Sequence, residues 1–269
     1  MPDPVPPEFA RALDAARARL GSVGHPLYYF HETTSTNDVA SSLAERGASE
    51  GTTVLAGAQT SGRGRLGRQW YSPPGAGLYL SVVIRSRRAA LYLTLAGGVA
   101  VAEGIRAATG LPLEIKWPND VVTPGTSGPS RRRKLAGILA EASSAADGLQ
   151  HVILGIGINL SAASYPPELA DRASSIETEL GRHVEAPVVL AEVLAALAAE
   201  LAPLSRGDAA GLLMRWRHLA PTASGTAVEC DTPHGRLVGL SSGIADDGAL
   251  LVKVGNRLER VIAGEVLWK

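Results

Sequence analysis

Residues 60–70 read TSGRGRLGRQW, and the meaning of the whole chain turns on this stretch. Arg63, Arg65 and Arg68 are interleaved with Gly62, Gly64 and Gly67, in a segment too glycine-rich to be rigid by itself. The β-like run GTTVLAGAQT (51–60) leads into it, and a Pro-Pro-Gly turn followed by the β-like run GLYLSVVIR (77–85) leads out. A solvated basic loop is the plain reading; a loop that closes over an anionic ligand is the sharper one. The surroundings favour an anion. No Asp or Glu occurs between Glu50 and Glu103, while Arg63, Arg65, Arg68, Arg85, Arg87 and Arg88 all fall inside that interval.

Outward from the loop, the pattern predicts an α+β chain. Pro7 to Leu20 has helical spacing, PLYYFHE (26–32) reads as a strand, and STNDVASSLAERG (35–47) reads as a helix opened by Ser/Thr/Asn capping and closed by Gly47. LYLTLAGGVAVAEGIRAATG (91–110) reads as a buried helix whose glycines permit close approach to a sheet. LEIKWPNDVV (113–122) and RKLAGILAEAS (133–143) read as two strands around TPGTSGPSRR (123–132), which has the composition of a hairpin tip. HVILGIGINL (151–160) is a further strand, and Ala186 to about Leu219 reads as helical. After APTASGTA (220–227), four short β-like runs predict a small antiparallel barrel. The expected division is 1–221, with 1–25 as a helical extension, and 222–269.

Composition narrows the function classes. The 269 residues are 45% hydrophobic, enough for a sizeable core, and the apolar runs read as shorter than the roughly 20 residues of a bilayer span. No secretory pattern opens the chain and Cys230 stands alone, so a cytoplasmic protein without disulfides is expected. A net charge of zero argues against a generic nucleic-acid binder.

Gly62, Gly64 and Gly67 satisfy G-x-G-x-x-G, but QWYSPPGAG follows where a dinucleotide fold needs a helix, and no acid lies about twenty residues on. A P-loop is absent too. Three other stretches bear on the loop: IKWPND (115–120), with Lys116, Trp117, Asn119 and Asp120 around a strand-breaking proline; RKLAGILAE (133–141), with Lys134 at the mouth of an apolar strand; and GIGIN (155–159), ending in Asn159.

In this order, TTSTND, GAQTSGRGRLGRQW, IKWPNDV, RKLAGILAE and GIGINL, the chain resembles the biotin protein ligases from about Pro26 onward. The arginine-glycine loop together with KWPND is specific to that family. Lipoate ligases share the fold but generally lack the pair. The resemblance implies a mixed-sheet biotin/lipoate ligase-like catalytic domain with a small C-terminal SH3-like β-barrel. It implies that biotin and ATP form biotinyl-5'-AMP with Mg²⁺, and that a lysine of a biotin carboxyl carrier domain then receives the acyl group.

On the same resemblance, Ser35, Thr36 and Gln59 bind the ureido end of biotin, backbone groups at Arg63 and Gly137 assist, and Asn37, Gly62, Arg65 and Lys134 complete that site. Arg63, Arg65, Arg68, Trp70, Lys116, Asn119 and Asn159 face the nucleotide, Trp70 as a wall at the adenine. Lys134, Arg65, Lys116 and Asp120 form the catalytic set. Asp120 contacts Mg²⁺ or helps to deprotonate the incoming lysine. The loop orders when ligand arrives. About twenty-five residues precede the first strand, too few for the helix-turn-helix domain of repressor-type members, so no specific DNA binding is expected. A homodimer is left open. Other readings are a lipoate or octanoyl ligase on the same fold and a basic nucleic-acid-binding protein. Plainer roles exist for single residues: Ser35 and Thr36 as helix caps, Trp70 as core, Asn159 as a strand end.

Overall fold

The computed structural model describes residues 1–125, 132–146, 148–232, 235–262 and 264–268. The tip of the expected hairpin at 123–132 therefore lies mostly outside the described residues. A seven-stranded mixed sheet is built from β1 (Leu27–Phe30), β2 (Thr53–Ala56), β3 (Gly77–Ile84), β4 (Glu114–Lys116), β5 (Asp120–Val122), β6 (Lys134–Ala145) and β7 (Gly148–Asn159). Its order is β1-β2-β3-β7-β6-β5-β4, with β1 and β2 parallel and every other pair antiparallel.

Alternate residues of a strand point to opposite faces, and here both faces are covered. Leu55, Val82 and Leu154 join the main core under α3 (Leu93–Thr109) and α5 (Ala186–Ser205). Their neighbours Val54, Val83 and Ile153 pack on the other side against Ala40 and Ala44 of α2 (Thr36–Glu45). A helix α1 (Pro7–Leu20), where the periodicity predicts one, packs on α5. Gly97 of α3 does lie on the sheet, since a Cβ there would meet Ile138 at 3.0 Å. Gly104 serves α5 instead, where a Cβ would sit 2.5 Å from the Val193 Cα.

Four expectations change for this part of the chain. The segments Ala90–Thr109 and Ala186–Ser205 are each 20 residues long and apolar enough to cross a membrane, contrary to the sequence reading. Here α3 and α5 pack on each other and on the sheet, the ordinary cause of an all-round apolar helix in a core. The helical run from Ala186 breaks after Ser205, because Gly207 takes φ +87°, and resumes as α6 (Ala210–Leu219). LEIKWPNDVV is not one strand but the hairpin β4–β5, turned at Trp117–Asn119 around Pro118. A short helix, α4 (Ile176–Leu180), was not foreseen.

The C-terminal sheet has five strands rather than four: β8 (Ser224–Thr232), β9 (Gly235–Ile244), β10 (Leu250–Val254), β11 (Arg257–Val261) and β12 (Glu265–Trp268). All pairs are antiparallel in the order β11-β10-β9-β8-β12, an SH3-like arrangement that does not close. It docks on the first sheet's layers: Trp117 Nε1 donates to the Gly248 carbonyl at 3.1 Å and the Tyr92 hydroxyl to the Asp246 carbonyl at 2.9 Å.

Candidate active site

The site lies on the α2 side of the mixed sheet, and its floor is made by the absence of side chains. Gly155 and Gly157 of β7 share a face with Ile153, and Gly137 of β6 is paired with Gly157 across the ladder. Into the space so left come the indole of Trp70 and the amide of Asn37. A Cβ on Gly137 would meet Trp70 Cζ3 at 2.9 Å, one on Gly157 would meet its Nε1 at 2.5 Å, and one on Gly155 would collide with the Asn37 amide. These glycines, unlike most in the chain, are required by close approach.

The inner wall is polar and almost uncharged. Ser35, Thr36 and Asn37, at the N-terminus of α2, are all buried. Ser35 holds the N-cap position without a side-chain capping bond, so the expected capping chemistry is not what opens the helix. Gln59 does that work from outside: its Oε1 accepts the Thr36 N–H at 2.8 Å while its Nε2 donates to Ser72 Oγ at 2.8 Å. Ser81 Oγ sits 2.8 Å from Thr36 Oγ1 and 2.5 Å from Asn37 Oδ1. Asn37 Nδ2 donates to Glu141 Oε2 at 2.5 Å. The same carboxylate oxygen takes Arg63 Nη2 at 2.6 Å, and Arg63 Nη1 reaches Asp38 at 3.0 Å. Arg63 is therefore clamped between two carboxylates.

The outer wall is cationic. Asp120 is the register partner of Lys116 across β4–β5 and lies opposite Gly137 of β6. Lys134 Nζ stands 2.6 Å from Asp120 Oδ1 and 5.2 Å from the centroid of a Trp70 ring. Burial lowers the pKa of Lys116 below the usual lysine range against the pull of Asp120. Burial likewise lowers Arg65, which also feels Asp120. Three cations thus gather about one carboxylate. Such a cluster favours an incoming anion in a partly desolvated place.

Arg65 donates from Nη1 to Asn119 Oδ1 and from Nη2 to the Gly264 carbonyl, both at 3.1 Å. Asn119 in turn donates to the Ile138 carbonyl at 2.9 Å. Arg68 turns outward to Glu265, 2.5 Å away. The loop also bonds to itself, Gly64 N–H to the Arg68 carbonyl and Trp70 N–H to the Gly62 carbonyl. So the segment expected to order with ligand already has protein partners along its length.

Of the residues singled out in the sequence, Ser35, Thr36, Asn37, Gln59, Arg63, Arg65, Trp70, Asn119, Lys134 and Gly137 line one cavity. Asp120 and Lys116 are outside that lining, Asp120 paired with Lys134 and Lys116 its partner across β4–β5. Gly62 and Arg68 lie off the cavity, and Asn159 is buried with its Nδ2 on the Ser174 carbonyl at 2.9 Å. Missed were Gly155 and Gly157 as floor, Leu80, Ile138, Leu139 and Ile156 as apolar lining, and Gly64. The β-pattern of GLYLSVVIR and HVILGIGINL implied two faces, but not which face was open. The cavity measures about 50 Å³. Trp70 lies on its glycine floor, and the buried indole N–H has no acceptor among the described residues.

Comparison with known proteins agrees with this geometry. Residues 29–159 match the biotin/lipoate A/B protein ligase family and residues 223–267 the biotin protein ligase C-terminal domain. A biotin–[acetyl-CoA-carboxylase] ligase of Mycobacterium tuberculosis is 32% identical over 97% of this chain and 96% of that protein. A bifunctional ligase/repressor of Bacillus subtilis is 32% identical over 91% of this chain and 74% of its own length. The Aquifex aeolicus biotin protein ligase, solved with biotin and ATP, superposes with a TM-score of 0.75 at 29% identity, over 90% of this chain and 98% of that one. With a glycine-floored pocket, a cationic mouth and the five-stranded appendix all in place, the chain belongs to the biotin protein ligases.

Proposed function

We propose that the chain activates biotin with ATP and transfers the biotinyl group to one lysine of a biotin carboxyl carrier domain. The observation that carries this is the convergence of Arg65, Lys116 and Lys134 on Asp120 at the mouth of a neutral polar pocket. The neutral inner wall, Ser35, Thr36 and Gln59, suits the uncharged ureido ring, which needs hydrogen bonds and no counter-charge. The cationic mouth suits the biotin carboxylate and the triphosphate, two anions that repel until neutralised.

In the first step a biotin carboxylate oxygen attacks the α-phosphorus, a P–O bond forms, and pyrophosphate leaves. Lys134 faces the place where these oxygens meet, with Lys116 and Arg65 on its flanks. In the second step the carrier lysine's amine, freed of its proton, attacks the acyl carbon and AMP leaves. Asp120 is placed to take that proton once Lys134 has turned from it to the phosphate. Among the described residues no three His, Cys, Asp or Glu side chains cluster as a cation site. Asp120 is the carboxylate that would hold a Mg²⁺ carried in on the triphosphate. When bound it would supply charge neutralisation at the phosphates.

The nucleic-acid reading loses support because each loop arginine is already held by a protein acceptor. The test is incubation with biotin, Mg-ATP and a carrier domain, read as one biotinyl mass increment on one lysine. Equal or faster labelling with lipoate or octanoate would overturn the choice of acid.

A further inference from the structure

We propose that Glu265, from the first position of β12, is a positioning residue that latches the arginine loop closed over the nucleotide side of the site. This rests on the ligase reading above. Three observations carry it. The loop touches the C-terminal sheet at two adjacent residues: Arg65 Nη2 on the Gly264 carbonyl at 3.1 Å and Arg68 Nη2 on Glu265 Oε1 at 2.5 Å. Between these anchors Leu66 takes φ +57°, ψ +37°, with its side chain 68% exposed and so held by no core contact of its own. A leucine leaves that left-handed region unless its neighbours are fixed. The two arginines on either side are what is fixed.

The third observation is electrostatic. Glu265 faces not only Arg68 but also Arg65 and Lys116, whose charged forms it favours. One carboxylate of the C-terminal sheet therefore faces three cations, one of them from KWPND and two from the loop. Glu265 is not itself one of the residues that line the cavity and needs no ligand contact to act. It settles the loop in its working conformation before nucleotide arrives, so that ordering is not charged to nucleotide binding. It also assigns the C-terminal sheet a task in the first half-reaction.

The experiment compares the full chain with Glu265→Gln, which keeps size and hydrogen bonding but loses charge, and with Glu265→Asp, which keeps charge. An exposed ion pair of this kind is worth a factor of about two to five. The expected result for Glu265→Gln is a KM for ATP raised by about that factor, with KM for biotin and the melting temperature unchanged and Glu265→Asp closer to wild type. A second readout needs no activity. Trypsin cutting after Arg63, Arg65 and Arg68 should quicken in Glu265→Gln at low salt and converge with wild type at high salt, where the pair is screened. Unchanged trypsin cutting would overturn the latch. So would a loss shared equally by both KM values and the melting temperature, which would make Glu265 merely structural. Absence of biotinylation by wild type, with the trypsin difference intact, would instead sink the ligase reading and leave the latch standing.

Discussion

Lys134 Nζ and Asp120 Oδ1 stand 2.6 Å apart across the strand pair that borders the pocket, so the cation assigned to the reacting oxygens is already paired. The pair is a third exposed on the lysine side, open enough to exchange partners. Lys134→Ala is expected to reduce biotin-dependent pyrophosphate exchange by about a hundredfold or more, the usual cost of losing one preorganised donor. The melting temperature should change little. Near-normal exchange would remove Lys134 from its role.

Lys116 gives a pH signature. Burial lowers its pKa below the ordinary 10.5, so over the window between the two values the unfolded chain binds the proton that the folded chain has lost. Stability contributed by this group therefore rises with pH through that window. Phosphate binding runs the other way, since the charge is lost there. Pyrophosphate exchange should fall on the alkaline side before 10.5 is reached, and Lys116→Arg, charged throughout, should move that limb upward. An unmoved limb would assign the fall to another group.

Trp70 lies on the glycine floor of a cavity of about 50 Å³. A bicyclic ligand must shift the indole, so biotin should change tryptophan fluorescence in wild type and not in Trp70→Phe, although Trp117, Trp216 and Trp268 remain. Gly157→Ala should push the ring off its floor without ligand, at about 1–3 kcal/mol in stability. A fluorescence change that survives Trp70→Phe would place the displacement elsewhere.

Arg65 ties the loop to Asn119 and to the Gly264 carbonyl. Arg65→Gly should loosen the closure more than it slows adenylate formation, and the escaped biotinyl-AMP should acylate lysines of an unrelated protein. The check is to count biotinylated sites on that bystander against wild type. Equal counts would mean that the loop does not retain the intermediate.

Much of this was legible in the chain. The loop, KWPND, RKLAGILAE and GIGIN come together around one cavity because each lies at or beside a strand end and the strands pair where their alternation predicts. The harder parts were tertiary. Ser35 reads as a cap by local chemistry, yet Gln59, 23 residues beyond Thr36, supplies the bond to Thr36. Arg63 and Arg68 read as ligand groups, yet Glu141 and Glu265, far along the chain, hold their guanidinium groups. Gly155 and Gly157 lie in a run that reads only as a strand, and the position of Trp70 shows them as a floor. The fifth strand of the C-terminal sheet, EVLW, is four residues with weak alternation, and it is fixed by pairing with β8 rather than by its own pattern.

The bond from Trp117 Nε1 to the Gly248 carbonyl reaches from the hairpin that bears Lys116 and Asp120 to the turn between β9 and β10. Val228, Cys230, Leu250 and Val252 of that sheet belong to the same apolar cluster as α3 and α5. The two sheets are therefore not beads on a string: heating should melt them in one cooperative step, with the calorimetric and van't Hoff enthalpies equal. A lesion that frays the last strands would then shorten the working life of the adenylating centre itself, without touching a residue that meets ATP.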